Sequence, residues 1–429
     1  MKELEFIYSV DMTYPWFPPA DDRESIGIDM SNGMYNPDLG KRTLDRVVGN
    51  TVFAEQLGYD GVLIFEQHNH PLALFGNAIQ GATWLAAKTD KIMVAGVGPI
   101  INAYKTPVRL AEEIALLDNF SNGRLIVGLP MGIGAQYHSL GVMNPAHARA
   151  IQREAVELLY RIWTEDGPFA WEGEYFHIPY VNVWPKTLRK PHPEVFIPAA
   201  GSRESLDMAA KFRFTYQAIA VPMPVLLRNI DTFRELCEGY GYTPEPRQIT
   251  AVLSVHTAET DDLARAEIEK HTLWEKQTFF RFPFEESFPP GHVSMGSLRG
   301  MMAGGYRSSP PWKLTWDELI AGDSLVAGSP ETVRQRLTEI TDKMGSGRVI
   351  IADSFTQPDW LQRKSMALFA EEVMPHFRTD GKAVWQREES LLAETSAESA
   401  ARSPQPAGRP VVDMPEGRVD LYTQPGEHL

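Results

Sequence analysis

The sequence contains one cysteine, Cys237, among 429 residues. A single thiol cannot form an internal disulfide or a cysteine-built metal site, and this scarcity fits a reducing compartment. We therefore expect a cytoplasmic protein. Cys237 lies in a stretch with helical spacing, DTFRELCEGYG. Because a cysteine in such a position usually packs as a small apolar residue, we expect its role to be structural.

Long apolar runs and an excess of positive charge are also lacking. No apolar stretch approaches the roughly 18 residues that span a bilayer. The first residues, MKELEFIYSV, lack the basic segment and apolar run of a signal peptide. Acidic residues outnumber basic ones by 56 to 41, which gives a net charge of −15. Such a surface repels nucleic acid and anionic membranes, so we expect neither as a partner.

Several common motifs are missing. The chain has no P-loop and no G-x-S-x-G, and its glycine-rich segment Gly128–Gly134 is not a G-x-G-x-x-G fingerprint. These absences weigh against an NTPase, a serine hydrolase and a dinucleotide-binding site. His68 and His70 stand two residues apart without a third ligand at a convincing spacing, so we expect no metal site.

Strand and helix patterns alternate along most of the chain. The predicted strands are Glu5–Val10, Gly61–Phe65, Ile92–Ile101, Arg124–Leu129, Val195–Ala200, Phe214–Ala220, Ile249–Val255 and Arg348–Ala352. Helical spacing separates many of them, as in Leu44–Leu57, Gly76–Lys88, Val108–Phe120 and Ala146–Thr164. Continuous apolar strands indicate a parallel sheet that is covered on both faces. Eight such units predict an α/β fold, a (β/α)8 TIM barrel, with a doubly wound open sheet as the competing arrangement.

Two regions interrupt the alternation. Residues 270–319 are rich in Phe, Pro, Gly, Met and Arg and include FFRFPFEESFPPGH. An insertion of this length in a compact enzyme is usually a lid or a binding loop. Residues 388–429 are polar and poor in large apolar side chains, which predicts a flexible tail. We therefore expect a barrel over residues 1–380 with a lid at about 270–319.

A polar cluster, Glu66 to His70, follows the second predicted strand. In a TIM barrel this position lies at the catalytic mouth. A histidine there can act as a general acid or base near neutral pH, and Glu66 can orient it. Alternatively, the cluster satisfies only backbone groups and water.

Two further loops offer groups for a ligand. Gly201, Ser202 and Ser205 open a helix after the fifth predicted strand, where free N–H groups and hydroxyls suit an anion, most plausibly a phosphate. An ordinary helix cap is the alternative. The Gly128–Gly134 loop would let a flat ring approach the backbone. Tyr137 and Asn102 would either meet that ring or stabilise the turns around it.

Four segments resemble, in the same order, parts of the bacterial luciferase-like flavin monooxygenase family. They are GYDGVLIFEQHN (58–69), TPVRLAEEIALLDNFSNGRLIVGLPMGIGAQYHSLGV (106–142), RKPHPEVFIPAAGSRESLDMAAK (189–211) and AGSPETVRQRL (327–337). The second segment is the most distinctive of the four, and the fourth alone would be weak evidence for the family. The resemblance extends from Glu5 to Arg378, apart from residues 270–319.

The resemblance implies a barrel that binds reduced FMN (FMNH2) from a separate reductase and uses O2 to oxygenate a small-molecule substrate. We expect such an enzyme to form a homo-oligomer, a dimer or a tetramer. An F420-dependent oxidoreductase on the same barrel is one alternative. A non-catalytic flavin-binding protein is the other.

Matching positions carry the family's site residues onto this chain. The implied cofactor-binding residues are Asn102, Met131, Tyr137, Gly201, Ser202 and Ser205. The implied catalytic segment contains Glu66, Gln67 and His68, with His68 at the second position of the family's histidine pair. Gln67 replaces the first histidine of that pair. The acid–base role therefore falls to His68, to His70 or to neither.

Overall fold

A computed structural model describes residues 3–16, 30–69, 71–141, 144–219, 221–279, 288–289, 291–292, 295, 298–299 and 313–379. The predicted tail at 388–429, most of the second half of the predicted lid and His70 lie outside these residues. None of the described helices combines the length and the low charge content that crossing a membrane requires.

Eight parallel strands close into a barrel. The described residues contain the strands β1 (Glu5–Ser9), β2 (Gly61–Ile64), β3 (Met93–Gly96), β4 (Leu125–Gly128), β5 (Phe169–Glu172), β6 (His177–Val181), β7 (Glu194–Ala199), β8 (Thr215–Ala218), β9 (Ile249–Thr257), β10 (Leu325–Gly328) and β11 (Arg348–Ala352). The ring runs β1-β2-β3-β4-β7-β8-β9-β11, and β11 pairs with β1 to close it. This confirms the predicted TIM barrel and excludes the open sheet.

Helices alternate with the strands around the ring. They are α1 (Pro37–Leu57), α2 (Ala78–Ala86), α3 (Pro107–Phe120), α4 (Gly134–Leu140), α5 (Pro145–Thr164), α6 (Arg203–Lys211), α7 (Met223–Gly239), α8 (Asp261–Phe279), α9 (Trp316–Ala321), α10 (Pro330–Met344) and α11 (Asp359–Glu372). Four of these helices begin in the same way, with a capping side chain followed by proline. The capping residues are Asn36, Thr106, Asn144 and Ser329. Each accepts a free N–H of the first turn, and proline has no N–H to leave unpaired there.

Some predicted boundaries were wrong. The third strand is much shorter than Ile92–Ile101, because the chain leaves the sheet after Gly96 and forms a 3-10 turn at Ile101–Ala103. The first helix begins earlier than Leu44, at Pro37, where Asn36 caps it. The antiparallel hairpin β5–β6 and strand β10 were not predicted. β10 pairs with the last four residues of β9 and does not belong to the ring.

An ion cluster lies at the floor of the barrel, where the strands begin. Arg348, the first residue of β11, is 2% exposed. Its guanidinium donates to Glu194 at 2.5 Å and to Glu5 at 2.7 Å. Arg247 lies 3.2 Å from Glu194. Burial alone would raise the pKa of Glu194, but the two arginines outweigh it and lower that pKa to about 2. The arginines therefore keep Glu194 ionised in the protein interior.

Two buried carboxyl groups lie between the barrel and its helices, near the ends of β1 and β11. Tyr8 donates to Asp353 at 2.6 Å, and Arg46 of α1 lies 2.9 Å from Asp11. Burial raises the pKa of Asp353 to about 7, and the neighbouring Asp11 adds to this effect. Burial also raises the pKa of Asp11, to about 6, although Arg46 opposes it. Asp353 is therefore costly to ionise in the folded protein.

We predict that Arg348→Met strongly destabilises the fold. The substitution keeps an unbranched side chain but leaves Glu5 and Glu194 buried without their main partner. Removing one partner of a buried ion pair costs about 3–5 kcal/mol, and we expect that loss in the free energy of urea unfolding. Arg265→Met is the control, because Arg265 pairs with Glu269 at the surface and should be almost neutral. Similar losses in both variants would contradict a structural role for the floor cluster.

We predict that Asp353→Asn stabilises the protein increasingly as pH rises. The folded pKa of about 7 exceeds the ordinary value of 3.8. The favourable neutral form is therefore present below about pH 4 and is lost as pH rises through 7. Asparagine stays neutral and still accepts from Tyr8. The Tm difference between variant and wild type should grow from pH 4 to 7 and then level off. A difference independent of pH would sink this assignment.

Candidate functional site

The candidate residues converge at the carboxyl ends of four neighbouring barrel strands. Glu66, Gln67 and His68 follow β2, and Asn102 follows β3. Met131 lies in the loop after β4, and Tyr137 lies on α4, which this loop opens. Gly201, Ser202 and Ser205 follow β7, which pairs with β4. Parallel strands end at the same rim, so the fold brings together groups that are up to 139 residues apart in sequence.

Glu66 connects two loops of the rim, the one after β2 and the one after β3. Its carboxylate is 6% exposed and accepts from His68 Nε2 at 3.0 Å. It also accepts the N–H of Ile100 at 3.1 Å and that of Ala78 at 2.8 Å. The bond to His68 places the proton of the neutral imidazole on Nε2 and leaves Nδ1 as the acceptor. Glu66 can thus orient His68, as the sequence suggested.

Gln67 connects the β2 loop to the loop after β4. Its side-chain oxygen accepts from Gln136 Nε2 at 2.8 Å, and Gln136 Oε1 accepts the N–H of Ile133 at 2.9 Å. Gln67 thus bridges two loops through a pair of amides. Sequence reasoning missed Gln136, because nothing in its local pattern distinguishes it from any helical glutamine.

Asn102 and Tyr137 meet at the carbonyl oxygen of Met131. The Asn102 amide donates to it at 3.3 Å and the Tyr137 hydroxyl at 2.9 Å. Burial raises the pKa of Tyr137 well above its ordinary value, so the hydroxyl keeps its proton. Asn102 Oδ1 is buried and forms no hydrogen bond within the described parts of the chain. A buried acceptor without a partner is costly, so this atom marks a place where a ligand's donor would fit.

The backbones after β3 and β4 lie in direct contact. A Cβ on Gly98 would lie 2.2 Å from the Gly128 carbonyl oxygen, and one on Gly128 would lie 2.8 Å from Val97 Cα. Neither position can hold another residue without moving the other strand. The Val97–Gly98 peptide is cis. The two glycines therefore allow the chain after β3 to approach the end of β4 closely.

Ser202 and Ser205 lie beside Arg149 and form with it a polar cluster that we call the anion pocket. Ser202 caps α6 by accepting the Ser205 N–H at 3.3 Å, which confirms the predicted cap. The Ser202 hydroxyl donates to that of Ser205 at 2.8 Å. Arg149 Nη1, from α5, lies 2.9 Å from Ser202 Oγ and 3.3 Å from Ser205 Oγ. Gly201 precedes them with a φ of 112°. A guanidinium, two hydroxyls and a helix N-terminus suit a phosphate.

Arg149 is the main site residue that sequence reasoning missed. Among the described residues it forms no salt bridge with a carboxylate, so its charge is directed at the two hydroxyls. Gln152, one turn later on α5, donates to the Leu129 carbonyl at 2.8 Å. Helix α5 therefore supports both the anion pocket and the β4 loop. No local signal separates Arg149 from the other basic residues of that helix.

Two other features bear on the chemistry of the chain, the arrangement of its potential metal ligands and the surroundings of its cysteine. Within the part of the chain that is described, no three His, Cys, Asp or Glu residues are grouped as metal ligands would be. Cys237 is buried in α7, and its thiol lies 3.1 Å from the Tyr242 hydroxyl. Burial raises the pKa of this thiol, which keeps it protonated and unreactive.

Comparison with known proteins agrees with the sequence resemblance. A profile of the luciferase-like monooxygenases matches residues 28–346. One curated relative is 2,5-diketocamphane 1,2-monooxygenase 2 from Pseudomonas putida. It is 23% identical over 361 residues, which cover 78% of this chain and 93% of the relative.

Two solved structures have a similar fold. The oxygenating constituent of 3,6-diketocamphane monooxygenase from Pseudomonas putida, in complex with FMN, superposes with a TM-score of 0.65 and 19% identity. It covers 88% of this chain and 99% of its own. The coenzyme F420-dependent tetrahydromethanopterin reductase from Methanopyrus kandleri has a TM-score of 0.58 and 18% identity. It covers 88% of this chain and all of its own.

Proposed function

The chain belongs to the luciferase-like monooxygenase family, and from this membership we propose that it is the oxygenase component of a two-component monooxygenase. It takes reduced FMN from a separate reductase and uses O2 to oxygenate a small organic substrate. The related diketocamphane oxygenases support this assignment, because one is a monooxygenase by name and the other was solved with FMN. We further propose a cytoplasmic homo-oligomer, a dimer or a tetramer.

The anion pocket carries the proposal. FMN bears a terminal phosphate, and Arg149 with Ser202 and Ser205 offers that group a cation, two hydroxyls and the first turn of α6. These serines are the ones that the family resemblance assigns to the phosphate. The pocket therefore fits FMN on geometry as well as on sequence.

The rest of the rim would hold the remainder of the flavin. Asn102 Oδ1 would accept a hydrogen bond from the polar edge of the ring or from the ribityl chain. The Met131 carbonyl, fixed by Asn102 and Tyr137, would face the same ligand. When bound, reduced flavin supplies the two electrons that activate O2. The predicted lid at 270–319 would exclude water from that chemistry.

We propose that His68 moves the proton that the oxygenation requires. Glu66 holds the ring through Nε2, which leaves Nδ1 free to accept a proton from a ligand or to return it. Glu66 would stabilise the imidazolium formed in that step. Gln67 cannot titrate, so its part would be to hold the β4 loop through Gln136.

An F420-dependent oxidoreductase is the second candidate, because an F420-dependent reductase has the same fold. Incubation with each cofactor separates the two. Binding of F420 with no binding of reduced FMN would replace the leading proposal. Binding of reduced FMN without oxygen-dependent turnover would favour a non-catalytic flavin protein.

We predict that the double variant Ser202→Ala/Ser205→Ala binds reduced FMN at least about tenfold more weakly, since a hydrogen bond to a charged group is worth roughly 1.5–3 kcal/mol. Anaerobic titration measures the affinity. Ser329→Ala/Thr332→Ala is a matched control. It removes the same cap and hydroxyl pair from α10, which lies apart from the pocket. Unchanged flavin affinity in the first variant would refute the phosphate site.

We predict that His68→Ala lowers product formation about 10²–10⁴-fold, the usual contribution of a general acid or base. Flavin affinity should survive, because the anion pocket lies on other elements. Unproductive turnover should release more H2O2. Gln67→Ala should have a smaller effect. Product and H2O2 are measured together in a reductase-coupled assay, with a substrate that the wild type oxygenates. If His68→Ala has a lower Tm but intact turnover, His68 has only a structural role. If His70→Ala is inactive and His68→Ala is active, the acid–base role belongs to His70.

A further inference from the structure

Part of the chain between α8 and α9 lies beside the anion pocket. Gly291 packs against the first turn of α5, since a Cβ added to it would lie 2.8 Å from Ala146 Cβ. Ala146 and Arg149 are three residues apart and so lie on one face of that helix. Gly291 therefore places the next residue, His292, on the side of α5 that carries Arg149.

His292 is enclosed between Tyr137 and α5. Its ring centroid lies 5.5 Å from that of Tyr137, and the residue is 4% exposed. Its Nδ1 is buried and has no hydrogen-bond partner in the described regions. A buried imidazole nitrogen without a partner is costly, which points to a group absent from the protein alone.

Among the described residues, the charge that faces His292 is positive. Burial, and then the positive charge of Arg149, lower its pKa to about 4. The facing titratable groups are Arg149 of α5 and Tyr137 of α4, and burial keeps Tyr137 neutral. No described carboxylate contributes to this balance. His292 is therefore neutral in the free protein at neutral pH, and an arriving anion would reverse the local potential.

We propose that His292 is a further ligand of the anion pocket, which takes up a proton and donates to the phosphate when FMN binds. This inference rests on the proposed function. It gives the chain between α8 and α9 a contact with the cofactor.

The experiment compares wild type with His292→Gln, using reduced FMN and reduced riboflavin, which lacks the phosphate. The variant should bind FMN about tenfold more weakly near pH 6, the effect of one charge-assisted hydrogen bond. This deficit should shrink as pH rises, because the wild-type imidazolium is then lost. Riboflavin affinity should be the same in both proteins. His376→Gln, exposed at the far end of the barrel, should match wild type with both ligands.

Wild-type protein alone provides a second test. Anaerobic calorimetry of FMN binding at pH 5.5, in two buffers of different ionisation enthalpy, measures the protons exchanged. A phosphate monoester titrates at about pH 6 and releases protons when it binds as the dianion. Uptake by His292 should offset that release. If wild type and His292→Gln release the same number of protons when they bind FMN, the inference is overturned.

The outcomes separate this inference from the proposed function. If wild type binds FMN and the loss of affinity in His292→Gln is absent or independent of pH, His292 is not a ligand of the phosphate, and the proposed function stands. If wild type binds no FMN, the proposed function fails. Inorganic phosphate is then the probe, and it should raise the Tm of wild type more than that of His292→Gln at pH 6. Equal Tm shifts would reject the inference on this second probe.

Discussion

Closure of the barrel depends on the ion cluster at its floor. Glu5 begins the first strand, Glu194 the fifth strand of the ring and Arg348 the last. One guanidinium bridges both carboxylates across the interior, at the end where apolar side chains such as Ile7 and Met93 give way to charge. Because these charges are buried, each is costly unless its partners are in place. The cluster therefore favours one arrangement of the ring.

The opposite rim is joined by polar bonds between loops. Glu66 connects the loops after β2 and β3, and the Gln67–Gln136 pair connects the β2 and β4 loops. Gln152 and Arg149 of α5 then link the β4 loop to the start of α6. Four separate loops thus become one surface on a rigid base. Such a surface is suited to hold a large ligand at several points without rearranging.

The sequence predicted the barrel well, because its signals are local. Each of the eight ring strands was predicted from its own stretch of the sequence, and the cap at Ser202 is visible within four residues. The missed features depend on contacts between distant segments. Strand β10 pairs with the last four residues of β9, which lie far from it in the sequence. Arg149 and His292 are defined by neighbours far along the chain, and no local pattern marks either. Roles for Glu66, Gln67 and His68 stay predictions, although their geometry is now described.

The path of β9 has a consequence for how this scaffold can vary. Its residues from Thr250 to Ser254 pair with β11 in the ring, and its last four residues, from Ser254 onwards, pair with β10. Among the described strands β10 pairs only with β9, so this excursion adds a strand beside the ring without taking a place in it. Such a branch can lengthen, shorten or be exchanged between paralogues while the barrel folds as before. We therefore expect inserted or exchanged segments, in evolution and in engineered chimeras, to be best tolerated between the seventh and eighth strands of the ring.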